Sequence, residues 1–179
     1  LTQPESWSAE HAQALVELYD EMFGDQRNAW TADRIVLDFV TGDDFATRLS
    51  AYVKRYLRRG IPSLFADLKA VYIDSDKVSI IECVFEDFLS SLQTRNAFPD
   101  SKEWEAPTVL VWVLCFLAQH HSKLRQIPCA LSRIEEAISH TPTIVELYLV
   151  KARALKRGGD LLAASDTCDY ARRLDLQDR

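Results

Sequence analysis

The chain has 179 residues, 47% of them hydrophobic and 27% charged, with only five glycines and six prolines. That is too long for a fold dependent on disulfide staples and too apolar for a disordered chain, so one globular domain, or two small ones sharing a core, is expected. Net charge is -6, with ten acidic and three basic side chains in residues 1–50 and near balance afterwards; a global basic field that would hold nucleic acid through counterion release is excluded.

In chain order, Ser8 is placed to cap a helix running to about Phe23, where Ala12, Leu15, Val16, Tyr19 and Phe23 recur at helical spacing and Gly24-Asp25 follows as a stop. The stretch Trp30 to Val40 carries Ile35, Leu37, Phe39 and Val40 and fits either a short helix or extended chain. Thr41 with Asp44 three residues on resembles a capping box and predicts a helix over Gly42 to Arg59. Its inward face is Phe45, Leu49, Tyr52, Val53, Tyr56 and Leu57, and Gly60 supplies a left-handed stop. Pro62 suits the first turn of a helix reaching Tyr72, with Leu64, Phe65, Leu68, Val71 and Tyr72 inward. Asp74 or Ser75 opens the next, which carries Val78, Ile81, Val84, Phe85, Phe88, Leu89 and Leu92. From Arg95 to Pro107 the pattern fails, and a polar loop containing Pro99 is predicted.

The last third repeats at a spacing of thirty-four residues: Ala118 with Ala152, Ala130 with Ala164, Ala137 with Ala171, Leu114 with Tyr148, and Ile134 with Cys168. Alanines let two helix backbones approach, and the larger residues fill the gaps between adjacent hairpins. The pattern resembles the tetratricopeptide repeat over 108–141 and 143–176, with Gly158-Gly159-Asp160 as the turn inside the second hairpin. It departs from that pattern at Leu176, where a proline is usual, at Lys151, where an apolar residue is usual, and at Ala118, where glycine is usual. The expected fold is all-α, stacked antiparallel helical hairpins forming a segment of a solenoid. Degenerate hairpins would occupy 1–95, a loop 96–107 and two repeats 108–179, in one continuous superhelix.

Few residues suggest chemistry. His120-His121 is the only histidine pair, and neighbours on a helix point about 100° apart, so they are not spaced to chelate one ion as an i, i+4 pair would. His11 and His140 lack a Cys or carboxylate constellation. No nucleophile elbow and no glycine-rich phosphate cradle is present, so the segment is expected to be noncatalytic and without metal. Cys83, Cys115, Cys129 and Cys168 are irregularly spaced and read as small buried hydrophobes in a reducing compartment. No basic-then-apolar leader and no run of eighteen uncharged apolar residues occurs, and a chain opening at Leu1 with patterning almost to Arg179 reads as a piece of a longer one.

Two basic clusters remain. Lys54, Arg55, Arg58 and Arg59 end one helix, where cations suit the negative helix terminus. Lys151, Arg153, Lys156 and Arg157 end another, with Arg172, Arg173 and Arg179 following, and for these a polyanion or acidic-partner site competes with the same helix-end role. Aromatic side chains fall on inward positions, and Trp112 is expected to seal the junction between the two halves of the chain.

Beyond the generic repeat, the stretches Leu57–Lys69 (LRRGIPSLFADLK), Pro107–Leu114 (PTVLVWVL), Leu117–His120 (LAQH) and Thr141–Ala152 (TPTIVELYLVKA) resemble the auxiliary subunit of the N-terminal acetyltransferase A complex, and the similarity runs from about Ala14 to Arg179. The resemblance implies a cytoplasmic, noncatalytic scaffold that wraps a catalytic acetyltransferase subunit and docks on the ribosome, the partner acetylating nascent chains that begin with Ser, Ala, Thr, Gly, Val or Cys. It also implies inositol hexakisphosphate in the full complex, carried here onto Lys151, Lys156, Arg157 and Arg179, and neither direct nucleic-acid nor membrane binding by this segment. The alternative is a repeat adaptor in RNA processing, suggested by Trp7, Tyr19 and Glu21 at half-repeat spacing. A co-chaperone clamp is opposed by Asn occurring only at 28 and 96, outside the repeats, and an all-α hydrolase using His120 or His121 would require turnover by the isolated chain.

Overall fold

A computed structural model of the chain describes residues 9–23 and 30–177. Among these the regular elements are all helical, with no strand, and no helix is long and apolar enough to cross a membrane. The Ser8 cap, the Gly24-Asp25 stop, Trp7, Asn28, Arg179 and the side chains of Ala12 and Phe23 lie outside the described residues. The chain forms two compact units, one of residues 1–55 and 67–84, the other of 56–66 and 85–179.

In the first unit α1 (Ala9–Phe23) packs on α2 (Trp30–Phe39). The stretch open to two readings is thus helical: Ala32, Val36, Leu37 and Val40 recur at helical spacing and are buried, and Arg34 pairs with Asp38 one turn on at 2.8 Å. The Arg34 guanidinium also donates to the Asp67 carbonyl at 2.7 Å. On α3 (Gly42–Arg59) the buried residues are Phe45, Leu49, Tyr52, Val53 and Leu57, the predicted face except for half-buried Tyr56. Its first turn accepts the Phe45 N–H on the Thr41 carbonyl at 3.3 Å, and Arg48 grips Asp20 of α1 through two hydrogen bonds of 3.0 and 2.6 Å.

The helix expected from Pro62 to Tyr72 is shorter. Pro62 and Ser63 form a turn, α4 spans Leu64–Leu68, and Lys69–Ile73 tightens into a 3-10 turn. Such tightening is common where a helix hands over to a connector, and here it delivers Val71 to the core. Asp74 then caps α5 (Ser75–Arg95), its carboxylate accepting the N–H groups of Asp76 at 2.9 Å and Lys77 at 3.3 Å. Lys77 is buried, yet its ammonium is satisfied by the carbonyls of Leu37 and Asp38 at 2.9 and 3.0 Å and lies 5.2 Å from the Phe45 ring centroid. It closes the carbonyl end of α2, where a cation meets the negative helix terminus.

The second unit is built around α6 (Pro107–Lys123), followed by α7 (Ile127–His140), α8 (Val145–Gly158) and α9 (Leu161–Gln177). Each packs on the next, and α6 also meets α8, the contact pattern of stacked antiparallel hairpins. Helix α6 is buried almost all round, from Val109 to Ser122, as a helix apolar on every face must be. Phe116 stacks on Phe85 with centroids 3.8 Å apart and meets Phe65 edge-on at 5.6 Å. The alanine register holds: Ala118, Ala130, Ala137, Ala152, Ala164 and Ala171 are all buried.

Three expectations are corrected. Ile134 is fully buried under its neighbours, but Cys168, its counterpart, is exposed, because α9 has no following helix on that face in the described residues. Cys83 and Cys129 are exposed as well, leaving Cys115 as the buried thiol. The loop at 96–106 is not simply polar: Ala97 and Phe98 are buried, Phe98 meets Phe88 edge-on at 4.8 Å, and Glu105 is only 7% exposed.

Candidate functional site

The predicted basic clusters fare differently. In the first, Arg55 is paired with Asp33, and Arg58 holds Glu105 through two bonds from Nε of 3.0 and 3.1 Å while lying 5.5 Å from the Phe98 ring centroid. The fork fixes the loop, and the Glu105 carboxylate holds the Arg58 pKa above its ordinary value. Ser91 and Arg95 complete the latch, donating to the carbonyls of Ala97 at 2.7 Å and Pro99 at 2.8 Å. These arginines serve the fold; sequence spacing could not show it because Arg58 and Glu105 stand far apart in the chain.

The second cluster divides. Lys151, half-buried, reaches Glu135 on α7 at 3.2 Å. That pairing explains how a cation occupies a normally apolar repeat position: its stem packs while the head meets a carboxylate. Lys156 and Arg157 are exposed and stand about 140° and 120° round α8 from Lys151 in opposite directions, so the three cations point to three different sides of the helix.

The end of α8 shows what these two residues are not needed for. Gly159 adopts a left-handed φ of 94°; its N–H donates to the Lys156 carbonyl at 3.2 Å and the Asp160 N–H to the Leu155 carbonyl at 3.1 Å, a Schellman closure. The Arg157 carbonyl accepts Nη1 of Arg125 at 3.4 Å. The terminal carbonyls thus have partners other than the side chains of Lys156 and Arg157. Arg157 instead donates to the hydroxyl of buried Ser122, at the end of α6, at 2.9 Å.

The connection from α6 to α7 closes likewise, with Arg125 N–H on the Ser122 carbonyl at 3.3 Å and Gln126 N–H on the His121 carbonyl at 2.9 Å. The left-handed position is held by Arg125 at φ 65°, where glycine is the usual occupant. Sequence reasoning missed Arg125: no glycine marked the turn. The histidines at this end are buried; His121 Nδ1 meets Gln126 Oε1 at 2.7 Å, and its Nε2 lies 3.9 Å from Glu86, which Arg133 also binds at 2.9 Å. Trp112 covers the α3 to α4 turn, its Nε1 lying 2.7 Å from where a Cβ on Gly60 would stand, a contact within the second unit. Trp104 is 66% exposed on the latched loop.

Comparison with known proteins gives one consistent result. The family model of the N-terminal acetyltransferase A auxiliary subunit matches residues 1–179. The chain is 39% identical over 173 residues to the N-terminal acetyltransferase A complex auxiliary subunit NAA15 of Arabidopsis thaliana, covering 97% of this chain and 19% of that protein. It is 37% identical over 166 residues to N-alpha-acetyltransferase 16, NatA auxiliary subunit, of Homo sapiens, covering 92% of this chain and 19% of that protein. A solved structure of Naa15/Naa10 bound to HypK-THB superposes with a TM-score of 0.81 at 34% identity, over 96% of this chain and 25% of that one. The chain therefore spans about a fifth of the length of these curated relatives. With its helical hairpins and alanine register accounted for in the same terms, the chain belongs to the family of N-terminal acetyltransferase A auxiliary subunits.

Proposed function

We propose that this chain is a noncatalytic scaffold segment that binds and positions the catalytic acetyltransferase subunit for cotranslational acetylation of nascent chains in the cytoplasm. The observation that carries the reading is family membership over the full 179 residues, in a fold matching a solved structure of Naa15/Naa10. Stacked hairpins present long surfaces suited to wrapping a partner, and α9 leaves open the face on which α7 receives α8, so a further hairpin can stack there and continue one superhelix. Ribosome docking belongs to the same reading and is assigned to the full chain.

Inositol hexakisphosphate, or an acidic partner, is read onto Lys156 and Arg157. Support comes from their exposure and from the carbonyl closure of α8 by other groups, which leaves both charges available. Lys151 would join only by leaving Glu135.

The test is coexpression of the full chain with the catalytic subunit, followed by size-exclusion chromatography and an acetylation assay of each fraction. Coelution, with turnover confined to fractions holding the catalytic subunit, is expected. Separate elution, or acetyl transfer by the chain alone, would overturn the reading.

A further inference from the structure

Neighbours on a helix point about 100° apart, yet the rings of His120 and His121 stand edge to face with centroids 5.4 Å apart and place a nitrogen of each within 4.8 Å of the other. Both side chains are buried at the end of α6. Burying two imidazoles next to each other is costly, because each ring carries two polar nitrogens that water would otherwise satisfy. Helical phase alone, which set the sequence expectation, does not show how far the rings turn toward one another.

The lone pair of His121 can be assigned. Its Nδ1 meets Oε1 of Gln126 at 2.7 Å; an amide oxygen accepts, so Nδ1 of the neutral ring carries the proton and Nε2 is the acceptor. That acceptor lies 3.9 Å from a carboxylate oxygen of Glu86 on α5, beyond hydrogen-bond range. Two acceptors placed so repel unless they share a cation. Two ligand atoms on one tetrahedral zinc ion stand about 3.3 Å apart, so the gap closes with a small side-chain rotation. Both groups are held from behind: Gln126 fixes the imidazole, and Arg133 on α7 donates to both oxygens of Glu86 at 2.9 and 3.0 Å, its own charge shared with Glu136 at 3.8 Å. Groups that orient metal ligands are arranged in this way. Glu82 stands one turn before Glu86 on the same helix. The Glu86 side chain is 38% exposed, which gives an ion a way in and leaves room for a water ligand.

We propose that His120 and His121, with a carboxylate of α5, form a site for one borderline transition cation, zinc foremost, and that the ion ties α5 to α6 beside the stack of Phe85 on Phe116. Two imidazoles and a carboxylate suit zinc, whereas magnesium and calcium take oxygen ligands.

The experiment is titration of the metal-free full chain with cobalt(II), followed by displacement with zinc. The expected result is a visible cobalt absorption that zinc abolishes and magnesium leaves unchanged, with a thermal midpoint that rises on zinc addition. His121→Asn, and the pair Glu82→Gln/Glu86→Gln, should each weaken zinc binding by about tenfold or more, and Gln126→Ala, which removes only the group behind the ring, by a smaller factor. Weakened binding in variants whose metal-free midpoint matches the parent supports the site; where His121→Asn lowers that midpoint, Gln126→Ala decides. No cobalt absorption in the parent chain, or a zinc affinity that all the variants keep, would overturn it.

Discussion

A Cβ at Gly60 would stand 2.7 Å from Trp112 Nε1, and the residue sits at φ 63°. Two independent costs therefore meet at one position, left-handed strain and a clash with a half-buried indole. Gly60→Ala is expected to destabilise the fold by about 2–3 kcal/mol, read as a fall in the chemical-denaturation midpoint with unchanged slope; an unaltered midpoint would refute it. Cys115 makes a second prediction. Burial pushes its thiol up from 9 to about 12, so the folded state keeps a proton that the unfolded chain gives up. A raised acid contributes stability that is complete below the unfolded value and is lost as pH climbs through the folded one. Stability should fall between pH 9 and 12, by about 2 kcal/mol at pH 10.5. Tyr72, raised by burial, acts in the same direction, and Lys77, lowered by burial, acts against it. Cys115→Ala should flatten the slope measured by denaturation across that range.

At the scale of elements, what could be read in advance was whatever rested on local periodicity. The bounds of α3 from Gly42 to Arg59 follow from its apolar spacing and its glycine stop, and the thirty-four-residue alanine register identified the buried faces of α6 to α9 because close helix approach tolerates little else. The 96–106 loop was misread because its order comes from partners distant in sequence. Arg58 binds Glu105, and Phe98 fills a space beside Phe88 that no window of residues reveals. The exposure of Lys156 and Arg157 near the end of α8 was legible, but the left-handed turn at Arg125 was not, because its backbone conformation runs against its residue type, and helical phase separates Lys151 from the other two. If the loop is held as described, Glu105→Ala should cost about 1–2 kcal/mol, moderated by the partial exposure of Arg58. It should also make the bonds around Lys102 more susceptible to limited trypsin digestion while cleavage within α6 stays slow. Equal cleavage in both proteins would show that the loop does not depend on the Arg58 fork.

At the scale of the whole molecule, the chain has the features of a part of something larger. Its relatives are about five times its length, and α9 exposes Leu161, Leu162 and Leu176. Family membership rests on the whole chain, whereas a particular partner leaves no short motif, since scaffold surfaces are distributed over many helices. The most direct test of the scaffold claim is acetylation of a peptide beginning with Ser or Ala by the catalytic subunit, coexpressed either with the full auxiliary chain or with one lacking this segment. The scaffold account predicts loss of the copurified complex and of its activity on deletion, with the segment inactive alone. Full activity and unchanged copurification without the segment would contradict it.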